Sequence, residues 1–341
     1  MLNSKDENLH SFPKILITVL LFTACQQEKY PIEPIDKLTP PANWFLLGIL
    51  PNPAKNQTFD SAYAEAARFN SLVPVWGKPS PFYLMPADLN GEWGKTFVRD
   101  LIRGNGMAPI IHLSFIGPGI TLISPPGITA PSLTNQDWRT AYRDAAIEIV
   151  KTIRPRYISL GNEVNRWFEK YGSAGENGFL NWVSLYEEIY DTIKKIAPDT
   201  RVFCTFSREI VDEHRVANLN CITLIDSTKL DLLGITSYPF AVSGVNSPDD
   251  IPADYYSALS ALLPGKPLGF TEICWWSNPA FGGETAESLF VSKIPDLLSG
   301  VKVEFVCWSW LCDLDSSDYN GLKRVDGTPK PALQAWQSLY R

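Results

Sequence analysis

From Trp44 onward, short apolar runs alternate with stretches in which apolar residues recur every three or four positions. This alternation predicts strands separated by helices, the pattern of βα units that build a parallel sheet. The expected strands are Trp44–Leu50, Ser71–Val75, Ala108–Leu113, Tyr157–Leu160, Val202–Phe206, Leu232–Ser237, Leu268–Thr271 and Val303–Trp308. Most are rich in leucine or β-branched residues and lack polar alternation, as strands covered on both faces should be. Phe59, Ala62, Tyr63 and Ala66 fall on one helical face between the first two strands. Trp138, Tyr142, Ala145 and Ile149 do the same before the fourth strand, and Val183, Tyr186, Tyr190 and Ile193 after it. These stripes read as core. The fifth helix is the weak element, because Arg208 to Asn220 is short and polar, whereas Pro329 to Tyr340 reads as a final closing helix.

The rhythm repeats about eight times, so the expected fold class is α/β, a (β/α)8 TIM barrel forming a single domain over residues 43–341. A doubly wound sheet is the alternative. It would want a Gly-rich phosphate loop after the first strand, and Leu50-Pro51-Asn52-Pro53 is no such loop.

Ahead of the barrel, Lys14 is followed by the apolar run Ile15 to Phe22 and then Thr23-Ala24-Cys25. The run is shorter than the roughly 20 residues a membrane-spanning helix needs and has the order of a secretory leader. Small residues directly before a cysteine resemble a bacterial lipoprotein lipobox, although Phe22 stands where leucine is usual. The resemblance implies a leader over residues 1–25, acyl chains on Cys25, a lipid bilayer as partner and residence in the bacterial cell envelope, at the outer membrane or cell surface. A plain signal peptide with secretion and a buried apolar segment are the alternatives. Residues 26–42 include Pro31, Pro34, Pro40 and Pro41 without a helical or strand period, and read as a tether.

A composition of 45% hydrophobic and 20% charged residues excludes disordered and fibrous classes. The net charge of -7, with no long basic run, provides no footprint for nucleic acid. An uncharged or weakly charged ligand fits better, and the chain is expected to be monomeric. The 11 Trp and 13 Tyr exceed what a core usually needs, and sugar rings stack on such side chains. Apart from Cys25 there are five cysteines, Cys204, Cys221, Cys274, Cys307 and Cys312, an odd number that leaves at least one thiol unpaired. Buried structural thiols are the expectation. With no CxxC spacing and only His10, His112 and His214, no metal and no other cofactor is expected. Asp313, Asp315 and Asp318 lack the glycine and distal glutamate of a calcium loop and read as a solvated acidic face.

In barrels of this kind active sites lie at the C-terminal ends of the strands. Two glutamates stand there, Glu163 in Gly161-Asn162-Glu163 after strand four and Glu272 in Phe270-Thr271-Glu272 after strand seven. Cleaving a glycosidic bond with retention needs one carboxylic acid to protonate the leaving oxygen and one carboxylate to attack the anomeric carbon. Taken singly, the first motif also reads as a turn with Asn162 as a helix N-cap, and the second as an ion-pair partner.

Together, Asn-Glu after strand four and Glu after strand seven resemble the clan A (β/α)8 retaining glycosidases. That resemblance implies Glu163 as acid/base, Glu272 as nucleophile and Asn162 on the sugar 2-hydroxyl. It further implies Tyr238, in Ser237-Tyr238-Pro239, set against the nucleophile, His112 as a sugar contact, and Trp308 as a platform under the reacting sugar, often followed by a cis peptide; on the residues alone, Tyr238 also reads as packed before a turn proline and His112 as a satisfied core residue. Trp76, Trp167, Trp275 and Trp276 follow strands two, four and seven, and would either flank a cleft suited to a polymer or pack the loops. The wording Gly-Asn-Glu, Ser-Tyr-Pro and Thr-Glu-Ile-Cys-Trp is similar to endo-β-1,4-galactanases of the arabinogalactan-degrading family, but Ile273-Cys274-Trp275 departs from the Thr-Gly usual there. The strand-four and strand-six motifs recur in mannanases, xylanases and glucanases. The implied function is retaining hydrolysis of a β-linked polysaccharide or oligosaccharide. Its rival is a catalytically inactive carbohydrate-binding surface lipoprotein on the same barrel. A solute-binding lipoprotein would need two hinged lobes, which the unbroken rhythm does not provide.

Overall fold

The computed structural model describes residues 31–41, 44–76 and 81–340. Four strands lead the barrel: β1 Leu46–Ile49, β2 Leu72–Val75, β3 Ala108–Leu113 and β4 Tyr157–Leu160. Two short runs follow, Arg201–Phe203 and Thr205–Ser207, which we number together as β5. Then come β6 Leu233–Ser237, β7 Leu268–Ile273 and β8 Val303–Trp308. All neighbours pair in parallel, and β8 returns to β1. The sheet closes inside β5, because Arg201–Phe203 pairs with β4 and Thr205–Ser207 with β6. At this change of partner the Thr205 amide donates to the Gly161 carbonyl at 3.1 Å. The expected α/β barrel is therefore the fold, with the predicted fifth strand present in two pieces.

The barrel interior is filled by rings. Phe305 of β8 packs edge-on against Tyr157 of β4 at 5.2 Å and lies 6.1 Å from Phe203 of β5. Room for them comes from two strand glycines: a Cβ on Gly234 would meet the Phe203 ring at 2.7 Å, and one on Gly269 would meet the Phe305 ring at 2.6 Å. Near the N-terminal end of β8, a register shift against β7 leaves Glu304 without a ladder partner. Glu304 accepts from the Tyr157 hydroxyl at 3.0 Å and from Arg201 Nη2 at 2.5 Å, a buried polar contact across the barrel floor.

The predicted stripes are the buried faces of helices Phe59–Ala66, Gln136–Ile153 and Phe179–Ile196, except that Phe59, in the first turn of its helix, is 47% exposed and meets the Phe97 ring edge-on. Thr58 and Asn135 cap the first two through side-chain bonds to Ser61 and Trp138 amides. Before β3 the chain runs through a π-helical stretch, Lys95–Ile102. No α-helix forms between β5 and β6. The polar stretch has no apolar stripe to bury, and instead Glu209–Ile210 pairs antiparallel with Arg215–Val216, followed by 3-10 turns.

The expected leader over residues 1–25, with Cys25, lies outside the described residues. The tether was expected to reach residue 42, but the compact unit begins at Ile32. Ile32 and Leu38 pack against the core, the Ile32 and Ile35 amides donate to the Ile196 and Arg154 carbonyls, and Asp36 pairs with Arg103 at 2.8 Å. Apolar burial and a shielded ion pair dock what proline content alone marked as a linker. Among the described residues no helix is long and apolar enough to cross a membrane. Cys204, Cys221, Cys274, Cys307 and Cys312 are all buried free thiols. The acidic stretch is only partly solvated: Asp315 and Asp318 cap their own loop, whereas Asp313 is buried and accepts from Lys330 at 2.9 Å.

Because Gly269 faces the Phe305 ring, Gly269→Ala should destabilise the barrel by about 1–3 kcal/mol through overpacking. A lowered denaturant midpoint with unchanged slope is the expected reading, and an unchanged midpoint would show that the ring moves aside freely.

Candidate active site

The turn after β4 is tied down before it presents any chemistry. Gly161 sits at φ 96°, where a Cβ would meet Val164 at 2.6 Å, and its amide donates to the Leu113 carbonyl of β3 at 2.7 Å. Glu163 follows at φ 49° and ψ 45°, the left-handed region, as the residue preceding helix Val164–Tyr171. A non-glycine residue held there costs on the order of 1–3 kcal/mol. Asn162 is not the N-cap of that helix, which has no side-chain cap. The Glu163 carboxylate accepts from Thr236 Oγ1 at 2.8 Å and from Arg166 Nη1 at 3.2 Å.

Glu272 lies within β7 rather than after it. Its Cα partner across the ladder is Thr236, the same residue that bonds Glu163. The register between β6 and β7 shifts so that Thr271 is skipped. Without this bulge Glu272 would share a face with Phe270, which packs on Tyr256. A bulge re-aims the side chain beyond it, and Glu272 turns to the mouth beside Tyr238 and Ser309. Burial pushes the Glu272 carboxyl up to about 7; the nearby Glu163 charge adds to the rise, while hydroxyls of Tyr238 and Ser309 oppose it.

On the other side of the mouth, His112 of β3 is 2% exposed and stacks on Trp76 at 3.8 Å and 17°. Burial depresses its pKa to about 3, so the ring is neutral. Neither ring nitrogen, nor the Asn162 Oδ1, has a hydrogen-bond partner among the described residues. Buried polar atoms usually have a partner, whether protein, water or ligand, and these two residues stand at the strand ends that form the mouth.

The tryptophans divide. Trp76 and Trp276 are half-buried, and Trp276 stacks on Phe240 while donating to Asn320 Oδ1 at 2.7 Å. Trp308, Trp275 and Trp167 are fully buried, each with its indole N–H bonded to a backbone carbonyl, of Asn320, Phe281 and Asn177 respectively. Trp308 is directed to Phe290 and Trp336 of the outer helices, and among the described residues no peptide is cis. Alternation accounts for this: Cys307 meets Gly48 inside the barrel and Ser309 faces Glu272, so Trp308 between them points outward. Trp308 and Trp275 thus offer no stacking face to a sugar.

No family model and no curated protein matches this chain. Solved structures do. A family 39 glycoside hydrolase from the gut symbiont Bacteroides cellulosilyticus WH2 superposes with TM-score 0.61 at 18% identity, covering 90% of this chain and 64% of that one. A GH5_18 variant from Bifidobacterium longum subsp. longum ATCC 55813, in complex with Manβ1-4GlcNAc, gives 0.62 at 16% identity over 86% and 77%. The exo-β-1,4-mannosidase Op5Man5 from Opitutaceae bacterium strain TAV5 gives 0.63 at 13% identity over 91% and 62%. The chain spans less than two thirds of the first and third of these. The likeness establishes the barrel fold of glycoside hydrolases.

Four site residues escaped the sequence reading. Thr236, Ser309 and Arg166 contact or face the two glutamates. Glu209 is buried behind β6, where burial pushes its pKa up to about 7 against hydrogen bonds from Tyr255, Tyr238 and Ser237. Parity along β6 and β8 would have found Thr236 and Ser309; nothing in the polar stretch after β5 singles out Glu209.

Since the Glu163 charge raises the Glu272 pKa, Glu163→Gln should lower the Glu272 titration midpoint from about 7. Carboxyl-carbon NMR of glutamate-labelled protein would measure it; a midpoint that stays or rises would mean that the two carboxylates do not share a field.

Proposed function

We propose that this chain is a retaining glycoside hydrolase of the clan A type, acting on a β-linked sugar with Glu272 as nucleophile and Glu163 as acid/base. The observation that carries the reading is Thr236, which bonds one carboxylate and lies across the ladder from the other. In the first step the ionised Glu272 attacks the anomeric carbon while protonated Glu163 gives its proton to the leaving oxygen. In the second, Glu163 takes a proton from water as the water displaces Glu272. The Tyr238 hydroxyl favours the charged nucleophile, and Ser309 Oγ, which has no hydrogen-bond partner among the described residues, is near enough to add to this. Arg166 and Thr236 hold the Glu163 carboxylate between them. His112 and Asn162 have free polar atoms for sugar hydroxyls, and Trp76 behind His112 and Trp276 are the remaining aromatic faces.

With three of the expected platforms buried, a short β-linked oligosaccharide fits this mouth better than a long polymer. β-Mannosides head the substrates to be tried, since one structural neighbour holds Manβ1-4GlcNAc and another is an exo-β-1,4-mannosidase; the galactanase-like wording of the motifs has no counterpart among the three neighbours described. A binding protein without catalysis has no need of opposed carboxylates, which disfavours that rival. The acyl anchor on Cys25 in the bacterial envelope belongs to this proposal, supported by the lipobox-like sequence alone.

Glu272→Ala should abolish hydrolysis, with azide restoring part of it, and product NMR should show retained anomeric configuration. Glu163→Ala should lower kcat by roughly 10²–10⁴-fold on poor leaving groups and spare good ones. Turnover near the wild-type level by the Glu272 variant, or an inverted product, would reject the assignment. Because the nucleophile must be ionised, kcat/KM should fall as pH drops below about 7; full activity down to pH 5 would contradict the role given to Glu272.

A further inference from the structure

Glu209 lies one residue past β5, in the two-residue strand Glu209–Ile210, and is 1% exposed. Its carboxylate accepts the Tyr238 backbone N–H at 2.6 Å, the Ser237 hydroxyl at 3.0 Å and the Tyr255 hydroxyl at 2.5 Å. Ser237 also meets the Tyr256 hydroxyl at 2.9 Å, and the Arg208 guanidinium lies 4.4 Å from the Tyr255 ring centroid. Along β6, Thr236 points to Glu163 and Tyr238 to Glu272, so Ser237 between them points away from the mouth. Glu209 therefore stands behind the end of β6.

The ladder explains why a carboxylate is there. The β5 to β6 pairing ends at Thr236 opposite Ser207, and the Arg208 amide donates to the Thr236 carbonyl. A regular parallel ladder would next send the Tyr238 N–H to the Arg208 carbonyl. That carbonyl is already taken by the Ala217 amide, because the chain has turned into the small hairpin. Pro239 follows, so Tyr238 has the last N–H at this end of β6. A buried N–H needs an acceptor, and the Glu209 side chain replaces the missing strand carbonyl.

We propose that Glu209 is a positioning residue for the reaction at Glu272: from behind β6 it fixes the backbone of Tyr238, and so the hydroxyl that faces the nucleophile. This rests on Glu272 being the nucleophile. Glu209→Gln keeps the volume and one carbonyl for Tyr238, but sets an amide donor against the Ser237 or Tyr255 hydroxyl. It should lower kcat by about 10–100-fold with KM within about twofold, as expected for an interaction that matters in the transition state. Tyr238→Phe should give a loss of similar size. The decisive reading is the double variant. If Glu209 acts through Tyr238, its kcat falls no more than about twofold below the worse single variant, whereas independent roles multiply. Wild-type kcat in Glu209→Gln, or multiplicative losses, would overturn the proposal. Should Glu209→Gln fail to fold, Tyr255→Phe removes one donor to the same carboxylate. It should then lower kcat without adding to Tyr238→Phe, and an unchanged kcat would count against the idea. Glu272→Ala run in parallel separates the failures. Retained turnover there sinks the nucleophile assignment, whereas an inactive, azide-rescued Glu272→Ala beside multiplicative Glu209 and Tyr238 losses sinks only the role of Glu209.

Discussion

The arrangement of the mouth depends on one change of hydrogen-bonding partner at Cys204. Upstream of it the chain belongs to β4, and downstream to β6. Because a single strand satisfies both neighbours in turn, the barrel has no open edge, and the ends of β4 and β6 come together across a very short β5. The Thr205 amide on the Gly161 carbonyl is the joint. From it follow the left-handed setting of Glu163, the reach of Thr236 to its carboxylate, and the early departure of β5 that leaves Tyr238 in need of Glu209.

The site concentrates unfavourable terms. It holds a glutamate in the left-handed region, a second one beside the first, and a buried imidazole with neither nitrogen bonded among the described residues. The left-handed setting alone costs on the order of 1–3 kcal/mol. They persist because the surroundings leave little freedom. The rings of Phe305, Tyr157 and Phe203 fill the barrel, Glu304 ties β8 to β4 and β5 at the floor, and Lys330 joins the loops after β7 and β8 through Ser277 and Asp313. Rigidity below the mouth is offset against strain within it.

The strands were legible because burial on both faces leaves a nearly continuous apolar signal. Ala108–Leu113, Tyr157–Leu160 and Val303–Trp308 have the bounds expected from it. Facing was less legible. Trp308 was read as a platform by its place at a strand end, yet Gly48 opposite Cys307 fixes the parity that turns it to the helices. Glu272 shows the reverse difficulty, since only a bulge that skips Thr271 brings it to the mouth. Glu209 was hidden because its three donors lie 28 to 46 residues away. A carboxylate in a polar stretch looks solvated until those distant groups are folded around it. The docked run from Ile32 misled for a related reason: prolines signal an absence of helix, not an absence of contact.

That docked run also gives the molecule a sense of direction. Its contacts, the Ile196 and Arg154 carbonyls and the Arg103 side chain, belong to the ends of segments about to enter β5, β4 and β3. Helices in such a barrel run opposite to the strands, so these contacts mark the end remote from Glu163 and Glu272. The chain therefore enters the barrel from underneath. Residues 32–38 thus lie against the base of the barrel, on the far side from the two carboxylates.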